Sequence, residues 1–306
     1  MAISYNPSAL LKGAKTTFAM SYNPDLTWRE KLCAMVTSKS NNESHPWVGQ
    51  PPQMTEVLDG EAVIATGLSD AVVTLTNKIY AASIEFLRKD IDDQQNGVLD
   101  MRIRQLADVA GGIYNKHITE LCTNGTTDTS YDGDAFFSNT HSARGDSGSQ
   151  DNLLAGSGTS TAQITTDLAA AISGLYTIKA ENGETFLGTL APKLVVMAPA
   201  AMAHNFREVL QAGYISQTDN IYKGAAELII NPRLDATDAT YCYLFAYTNA
   251  MFPLIYQERD AIEFSSQDGS QESDDTFLRE VYRYKVRARH ATGYGYWQLA
   301  NKTVNS

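Results

Sequence analysis

The apolar positions between residues 97 and 123 constrain the fold of this chain more than any other feature. They recur at steps of three and four residues, as along one face of an α-helix, at Leu99, Ile103, Leu106, Ala110, Ile113, His117 and Leu121. An acidic cluster, residues 90 to 93, lies before the stripe, where the helix dipole favours negative charge, and Asn124-Gly125 follows as a stop signal. We predict one helix of about 25 residues, roughly 37 Å long at 1.5 Å per residue.

Residues 1–53 read as an N-terminal arm. Short apolar patches are interrupted by two Asn-Pro pairs, and the polar tail carries Pro46, Pro51 and Pro52 together with Gly49. Proline removes a backbone donor and disfavours regular structure, so an extended path is predicted. Alone, such a segment cannot bury enough apolar surface to offset the entropy of ordering it. We expect it to lie on another surface, and residues 1 to about 45 to serve assembly and not the folding of the core.

The remaining sequence predicts mixed helices and strands. Residues 54–89 alternate with a period of two, with turns marked at Gly60 and Gly67, and predict a long β-hairpin. A loop-rich stretch from 125 to 160 precedes two helices interleaved with short strands, and the chain ends in long strands. The fold class is therefore α+β.

Composition excludes several classes of function. The net charge of −11 gives a surface that repels phosphate, so nucleic-acid binding would need a local basic exception. No apolar run approaches the ~20 residues that span a bilayer, and no membrane association is predicted. The three cysteines and five histidines are scattered, and the acidic cluster lacks the glycine and closing glutamate of a calcium loop. We predict neither a metal site nor a cofactor.

The stretch "THSARGDSGSQD", residues 140–151, resembles the nucleophile segment of chymotrypsin-like proteases. A serine nucleophile needs a base within hydrogen-bonding reach and a third group that orients the base. His45 lies in the proline-rich arm and His117 continues the apolar helix stripe, so neither suits Ser147. A serine hydrolase using Ser147 is kept as an alternative, but a surface loop with no catalytic residues is the preferred interpretation.

One strand carries the local basic exception. In "VYRYKVRARH" the alternation places one set of side chains on each face of a strand, and the cationic set is Arg283, Lys285, Arg287 and Arg289. Tyrosines lie on the opposite face, whereas base stacking and phosphate contact would need both groups together. We expect these cations to meet acidic neighbours, either in the 265–275 loop or in another subunit.

Five segments together resemble the major head subunits of Mu-like phages and prophages, whose fold is the Hong Kong 97 capsid fold. They are "HPWVGQPPQMTEVLDGEA", "FLRKDIDDQQNG", "FFSNTHS", "PLIYQERD" and "VRARHATGYGYWQLA". The resemblance implies a domain plan along the chain. It consists of an arm (1–53), an extended hairpin loop (54–89), a peripheral domain with the spine helix (90–159), an axial domain (160–260) and peripheral return strands (261–306).

The resemblance also implies a function. The chain would assemble into hexamers and pentamers of an icosahedral shell around double-stranded DNA, contacted non-specifically, without being an enzyme. Separate scaffold, portal and maturation protease proteins would act with it, in the bacterial cytoplasm before release in the virion. The subunit contacts expected are the four strand cations and, in the arm, Leu10, Leu11, Phe18, Leu26 and Trp28. An encapsulin-like compartment of the same fold is the alternative.

Overall fold

The computed structural model describes residues 7–48, 70–92, 96–142, 148–180, 183–188, 191–215, 217–267 and 279–305. In the first part of the chain the elements are α1 Pro7–Ser21, α2 Thr27–Leu32, β1 Cys33–Thr37, β2 Asn42–Val48, β3 Asp70–Thr76, β4 Lys78–Leu87, α3 Arg88–Asp92, α4 Asn96–Gly111 and α5 Ile113–Asn124.

The second part is richer in strands. Its elements are β5 His141–Ser142, β6 Ser149–Gln150, β7 Leu153–Ala155, α6 Thr161–Thr177, β8 Lys193–Ala198, α7 Ala203–Gln211, β9 Tyr214–Ile215, β10 Thr218–Asp219, β11 Glu227–Ile230, β12 Cys242–Tyr247, β13 Leu254–Gln267, β14 Val281–Tyr294 and β15 Ala300–Val304. Short 3-10 helices span Ala200–Met202, Pro232–Ala236 and Trp297–Leu299.

Two sheets organise the molecule. A long sheet has the order β1-β13-β14-β4, and a five-stranded sheet has the order β11-β8-β12-β15-β7. Strands β2 and β3 pair only with each other among the described strands, as a two-stranded ribbon outside both sheets. The predicted boundary at residue 260 falls inside β13, and β15 joins the five-stranded sheet rather than the return strands.

Two main groups of apolar side chains hold these layers together. The larger one surrounds the five-stranded sheet and includes Ile118 from α5 and Trp297, both fully buried. The other lies between the long sheet and the helices α1 and α4, where Phe18 and Ile103 meet Tyr284. Because the tyrosine face of β14 packs into this group, its cationic face points away from the helices.

The predicted long helix is present, but it is divided. Helix α4 ends at Gly111 and α5 begins at Ile113, with Gly112 between them at φ −77° and ψ −6°. A Cβ on Gly111 would lie 3.3 Å from the Cα of Pro24, so the N-terminal segment passes directly against the division. Two adjacent glycines weaken the helix here and allow this close approach.

The prediction of an extended arm without regular structure is wrong for residues 7–37. Pro7 is the first residue of α1, where its missing N–H costs nothing, and Asn23-Pro24 follows the end of the same helix. The two Asn-Pro pairs therefore flank a helix instead of preventing one. Leu32 and Cys33 are buried in the larger core, so this part of the segment packs in the folded body, and we expect its deletion to destabilise that body.

The predicted hairpin has different strands. β3 and β4 do not pair: β3 pairs with β2, and β4 pairs with β14. The true antiparallel ribbon joins residues 42–48 to 70–76, and Pro46 is tolerated because both of its strands are edges. Gly60 and Gly67, predicted to mark turns, lie outside the described residues.

Candidate functional site

A serine hydrolase would need a histidine close to Ser147, and Ser147 itself lies outside the described residues. A histidine–aspartate pair does lie near it in sequence. His141 Nδ1 is 2.7 Å from Asp132 Oδ2, and its Nε2, the atom that would face a serine hydroxyl, is 3.3 Å from the Phe136 carbonyl oxygen. The ring is fully buried and stacks on Trp297 with centroids 3.9 Å apart. This histidine is sealed inside the core and is not presented to a substrate.

The same residues form a cluster with metal-ligand chemistry. Donor atoms of Asp132, Asp134 and His141 lie within 4.8 Å of one another. However, both ring nitrogens of His141 face acceptors of the chain itself, a carboxylate and a carbonyl oxygen, so the ring does not turn a free nitrogen towards a cation. The backbone N–H of Asp134 also donates to Asp132 Oδ1. These hydrogen bonds hold the loop of residues 132–141 together, which explains the cluster without a metal ion.

The cationic face of β14 has the predicted alternation, and most of its partners lie in the same chain. Arg283 Nε is 3.4 Å from Glu85 Oε2 on β4, and Arg287 Nη1 is 3.2 Å from Asp260 Oδ2 on β13. Arg289 Nη2 donates to Asn41 Oδ1 at 2.7 Å. Glu85 and Asp260 are acidic neighbours of the kind expected, while residues 268–275 of the 265–275 loop lie outside the described part, so a contact with that loop stays a prediction.

Lys285 differs from the other three cations. It is exposed, lies between Ser83 on β4 and Ser265 on β13, and has no ion pair with any residue that the structure describes. A lone cation on an open sheet face is available to an acidic partner.

Of the five predicted contact residues in the arm, three pack on their own chain. Phe18 is 6% exposed and stacks on Phe264 with ring centroids 4.7 Å apart. Leu26 and Trp28 are partly buried against the larger core. These three side chains contact their own chain, while Leu10 and Leu11 lie in the first turns of α1, where side chains are outside the described part.

Apolar side chains that sequence analysis did not single out reach solvent at separate places. The most exposed are Val72 on the β2–β3 ribbon, Val109 on α4, Tyr214 on β9, Met20 at the end of α1 and Ile221. A signal existed for Val109, which lies off the helix stripe that includes Leu106 and Ala110. Single exposed apolar side chains are ordinary on protein surfaces, so these five do not by themselves mark a contact surface.

A buried pair of histidines joins the divided helix to the long sheet. His290 Nε2 and His117 Nδ1 are 2.8 Å apart, and Tyr80 contacts both rings. Burial, reinforced by the neighbouring His117, lowers the pKa of His290 to about 3. Burial likewise lowers the pKa of His117, although Glu120 opposes this. The pair is neutral near pH 7 and supports the fold.

A second polar group lies where the β2–β3 ribbon meets the long sheet. Asn77 and Gln257 are buried, and Gln257 Nε2 donates to Asn77 Oδ1 at 2.8 Å. On the exposed side, Glu43 Oε1 accepts hydrogen bonds from the backbone N–H groups of Lys39 and Ser40 and from the Ser38 hydroxyl. These bonds favour the ionised carboxylate and lower the pKa of Glu43 to about 2.

Within the described residues no helix is long and apolar enough to cross a membrane. The geometry thus offers surfaces, an open cationic sheet face, exposed apolar side chains and a ribbon that leaves the body. None of the clusters considered above presents a nucleophile, a free base or a vacant set of ligands.

Comparison with known proteins gives one consistent result. The family model described as the Mu-like prophage major head subunit gpT matches residues 8–164 and 231–305. The Mu-like prophage FluMu major head subunit of Haemophilus influenzae is 22% identical over 271 residues, which are 89% of this chain and 64% of that protein. The chain thus corresponds to less than two thirds of that relative's length.

Solved structures share the fold. The procapsid of bacteriophage JBD30 matches with a TM-score of 0.53 at 20% identity, over 97% of this chain and 76% of that one. The mature capsid of bacteriophage PhiM1 matches with 0.60 at 10% identity, over 93% and 88%. An empty GTA particle capsid matches with 0.57 at 11% identity, over 99% and 100%.

Proposed function

This chain belongs to the family of Mu-like prophage major head subunits, and from that membership we propose that its copies assemble into the shell of a phage head. The chain has the α+β, Hong Kong 97-type fold of phage capsid proteins. The observation that carries the proposal is the extent of this likeness: the capsid subunits named above match 93–99% of the chain. The shared fold extends over almost every element of the chain, and the family of head subunits gives that fold its proposed role.

The β2–β3 ribbon favours assembly because it has only two strands. A two-stranded ribbon is at best marginally stable in water and needs a surface to lie on. Both of its described strands carry exposed side chains, including Ser44 on β2 and Val72 on β3, while Leu75 and the half-buried Val73 pack on the body. We propose that the rest of the ribbon lies on a neighbouring copy in the shell.

The contact residues proposed for the shell follow from exposure. Lys285 is the strongest of the strand cations, since Arg283, Arg287 and Arg289 already have partners in the chain. Leu10 and Leu11 remain candidates in α1. Phe18, Leu26 and Trp28 act indirectly, because they hold the N-terminal helices on the body.

The proposed partners follow from what a head must do. Hexamers and pentamers of this chain would close the shell, with separate scaffold, portal and maturation protease proteins, in the bacterial cytoplasm and then in the virion. Double-stranded DNA would be contacted non-specifically. The net charge of −11 suits this, because repeated tight phosphate contacts would resist movement of DNA during packing.

The two alternatives predict different contents and chemistry. An encapsulin-like compartment would enclose protein instead of a genome. A serine hydrolase would react at Ser147, although the nearest described histidine is sealed against Trp297. Membership of a head-subunit family supports a structural protein, and we propose no enzymatic activity.

Sedimentation velocity of the chain expressed alone and together with head scaffold proteins tests the proposal. Closed particles far larger than a monomer, and no labelling of Ser147 by a fluorophosphonate probe, are the expected results. Stoichiometric labelling of Ser147 would support the hydrolase alternative. Particles that package a protein cargo and exclude DNA during phage production would support the compartment.

A further inference from the structure

The β2–β3 ribbon is joined to the long sheet at only two places along the chain. One is the turn of residues 38–41 between β1 and β2, and the other is the single residue Asn77 between β3 and β4. On the body side of these junctions, β1 pairs with β13 and β4 pairs with β14. Any change in the direction of the ribbon must therefore occur at these two junctions.

Asn77 ties the two junctions to each other. Its backbone N–H donates to the Asn41 carbonyl at 2.9 Å. Its side-chain Nδ2 donates both to Ser38 Oγ and to the Ser40 carbonyl, each at 2.8 Å. Ser38 and Asn77 are 4% and 5% exposed, so these bonds are shielded from water and cannot be exchanged freely for bonds to solvent.

Gln257 ties the junctions to the sheet and to the ribbon. It is fully buried on β13, its Nε2 donates to Asn77 Oδ1 at 2.8 Å, and its Oε1 lies 2.7 Å from His45 Nε2 on β2. The resulting relay connects the ribbon, both junctions and the central strand. Every amide atom of Asn77 and Gln257 has a partner in it.

Two further contacts flank the relay. Arg289 of β14 donates to Asn41, and Leu75 packs beside Ile255 and Ala291. A Cβ on Gly293 would lie 2.5 Å from Leu75 Cδ2, so glycine is needed there for Leu75 to pack as it does. Apolar packing holds the base down, while the relay supplies directional bonds that specify an angle.

We propose that this relay, with Asn77 and Gln257 at its centre, sets the direction in which the ribbon leaves the body. These two side chains are positioning residues: they fix where the ribbon reaches without touching what it reaches. For its consequence in assembly the inference rests on the proposed function, since a ribbon held at one angle would contact one defined region of a neighbouring copy.

The test uses the unassembled full-length chain, so that it does not depend on shell formation. Spin labels at Val72→Cys on the ribbon and Val109→Cys on α4, both exposed sites, report the distance between ribbon and body. Cys242 is replaced by serine to avoid labelling it, while Cys33 and Cys122 are buried. Hydrogen exchange of the amides of residues 42–45 and 72–76 is measured in parallel.

The central variant is Asn77→Asp, which is nearly isosteric. It keeps an acceptor for Gln257 but loses the two Nδ2 donations to Ser38 and Ser40. We expect a broadened distance distribution and at least roughly tenfold faster exchange in the ribbon, because a hydrogen bond is lost and the new carboxylate also faces the Ser40 carbonyl oxygen. Thr74→Ala, on the exposed ribbon surface, is the matched control and is expected to leave the distribution unchanged.

Gln257→Leu provides a second variant, which removes the link to β13 with little change in volume. If either variant keeps the wild-type distance distribution and exchange rates, the relay does not position the ribbon. Shell yield is then measured separately. Wild-type chain that never forms shells would overturn the proposed function but not the relay, whereas an unchanged ribbon in either variant overturns the relay alone.

Discussion

His117 and His290 are titratable side chains that are buried in the core of the fold. They lie 173 residues apart in sequence, on α5 and β14, and are joined by one hydrogen bond. The rings of Tyr80 and Tyr256 pack against His290. Lys116, Lys78 and Arg29 surround the pair and oppose a further positive charge, with Glu120 as the nearby acid. The pair is stable only while it is neutral.

This arrangement predicts a loss of stability in acid. The folded pKa of His290, about 3, lies below the ordinary value of about 6.5 that applies in the unfolded chain. Below about pH 6.5 the unfolded chain therefore binds protons that the folded chain does not. Stability is fully present above that pH and falls as the pH drops towards 3, by up to about 1.4 kcal/mol per pH unit for one histidine.

Urea unfolding of the unassembled chain at pH 7.5 and pH 5 measures this loss. His290→Phe keeps an aromatic ring but removes the titration, and its stability should depend less steeply on pH. His204→Gln, at an exposed position of α7, should leave the dependence unchanged. A wild-type dependence in His290→Phe would show that other groups cause the acid sensitivity.

For single residues, the sequence predicted which face of a strand a side chain occupies, but not which residues that side chain contacts. Alternation in β14 correctly separated Arg283 and Lys285 from Tyr284, because the period of a strand is a local property. It could not name Glu85, Asp260 or Asn41, since those contacts depend on which strands lie beside β14. Asn77 and Gln257 carried no signal, as an isolated amide in a strand resembles any exposed polar residue.

At the scale of elements, the helix was predictable and its division was not. The apolar stripe of α4 and α5 is continuous through Gly112, which keeps helical dihedral angles and accepts a hydrogen bond from Lys116. The hairpin was misassigned for a different reason: β3 and β4 form one alternating run in sequence, and only the distant strands β2 and β14 show that Asn77 separates them. Pairing between distant segments is the information that periodicity lacks.

The division of the helix gives a prediction about Gly112. Because its φ and ψ suit alanine, and an added Cβ would meet Asp108 O at 3.4 Å and Arg233 Nη2 at 3.5 Å, Gly112→Ala is accommodated. We expect it to stabilise the chain by about 0.4–1 kcal/mol, mainly by restricting the unfolded state.

Thermal unfolding followed by circular dichroism checks this expectation. Gly125→Ala is the contrasting variant, since its Cβ would lie 2.6 Å from the ring of Phe137, and it should destabilise the chain. A lower melting temperature for Gly112→Ala would mean that the division of the helix requires glycine itself.

At the scale of the whole molecule, the chain is an acidic body with one cationic sheet face and a ribbon that extends beyond it. The family and the fold were accessible from the sequence because several weak motifs lie in the same order over nearly the whole chain. The contacts between copies were not, since exposed residues such as Val72 and Lys285 acquire meaning only when a neighbouring surface is present.

Charge reversal at Lys285 separates assembly from folding. Lys285→Glu changes an exposed residue without an ion pair among the described residues, so the monomer's free energy of unfolding should change by less than about 0.5 kcal/mol. In a shell the same change recurs at every copy, and we expect a clear loss of particles by sedimentation. Lys285→Arg keeps the charge and should assemble as wild type. Equal particle yields for the two variants would remove Lys285 from the contact surface.

The most direct measurement is an electron cryo-microscopy reconstruction of the particles formed by this chain with its scaffold. We expect a closed shell in which the fold repeats in hexamers and pentamers, with the β2–β3 ribbon of each copy lying on a neighbouring subunit. A chain that stays monomeric at high concentration with and without scaffold would contradict the assignment as a shell protein. A shell in which the ribbon lies on its own subunit would contradict the proposed role of the ribbon.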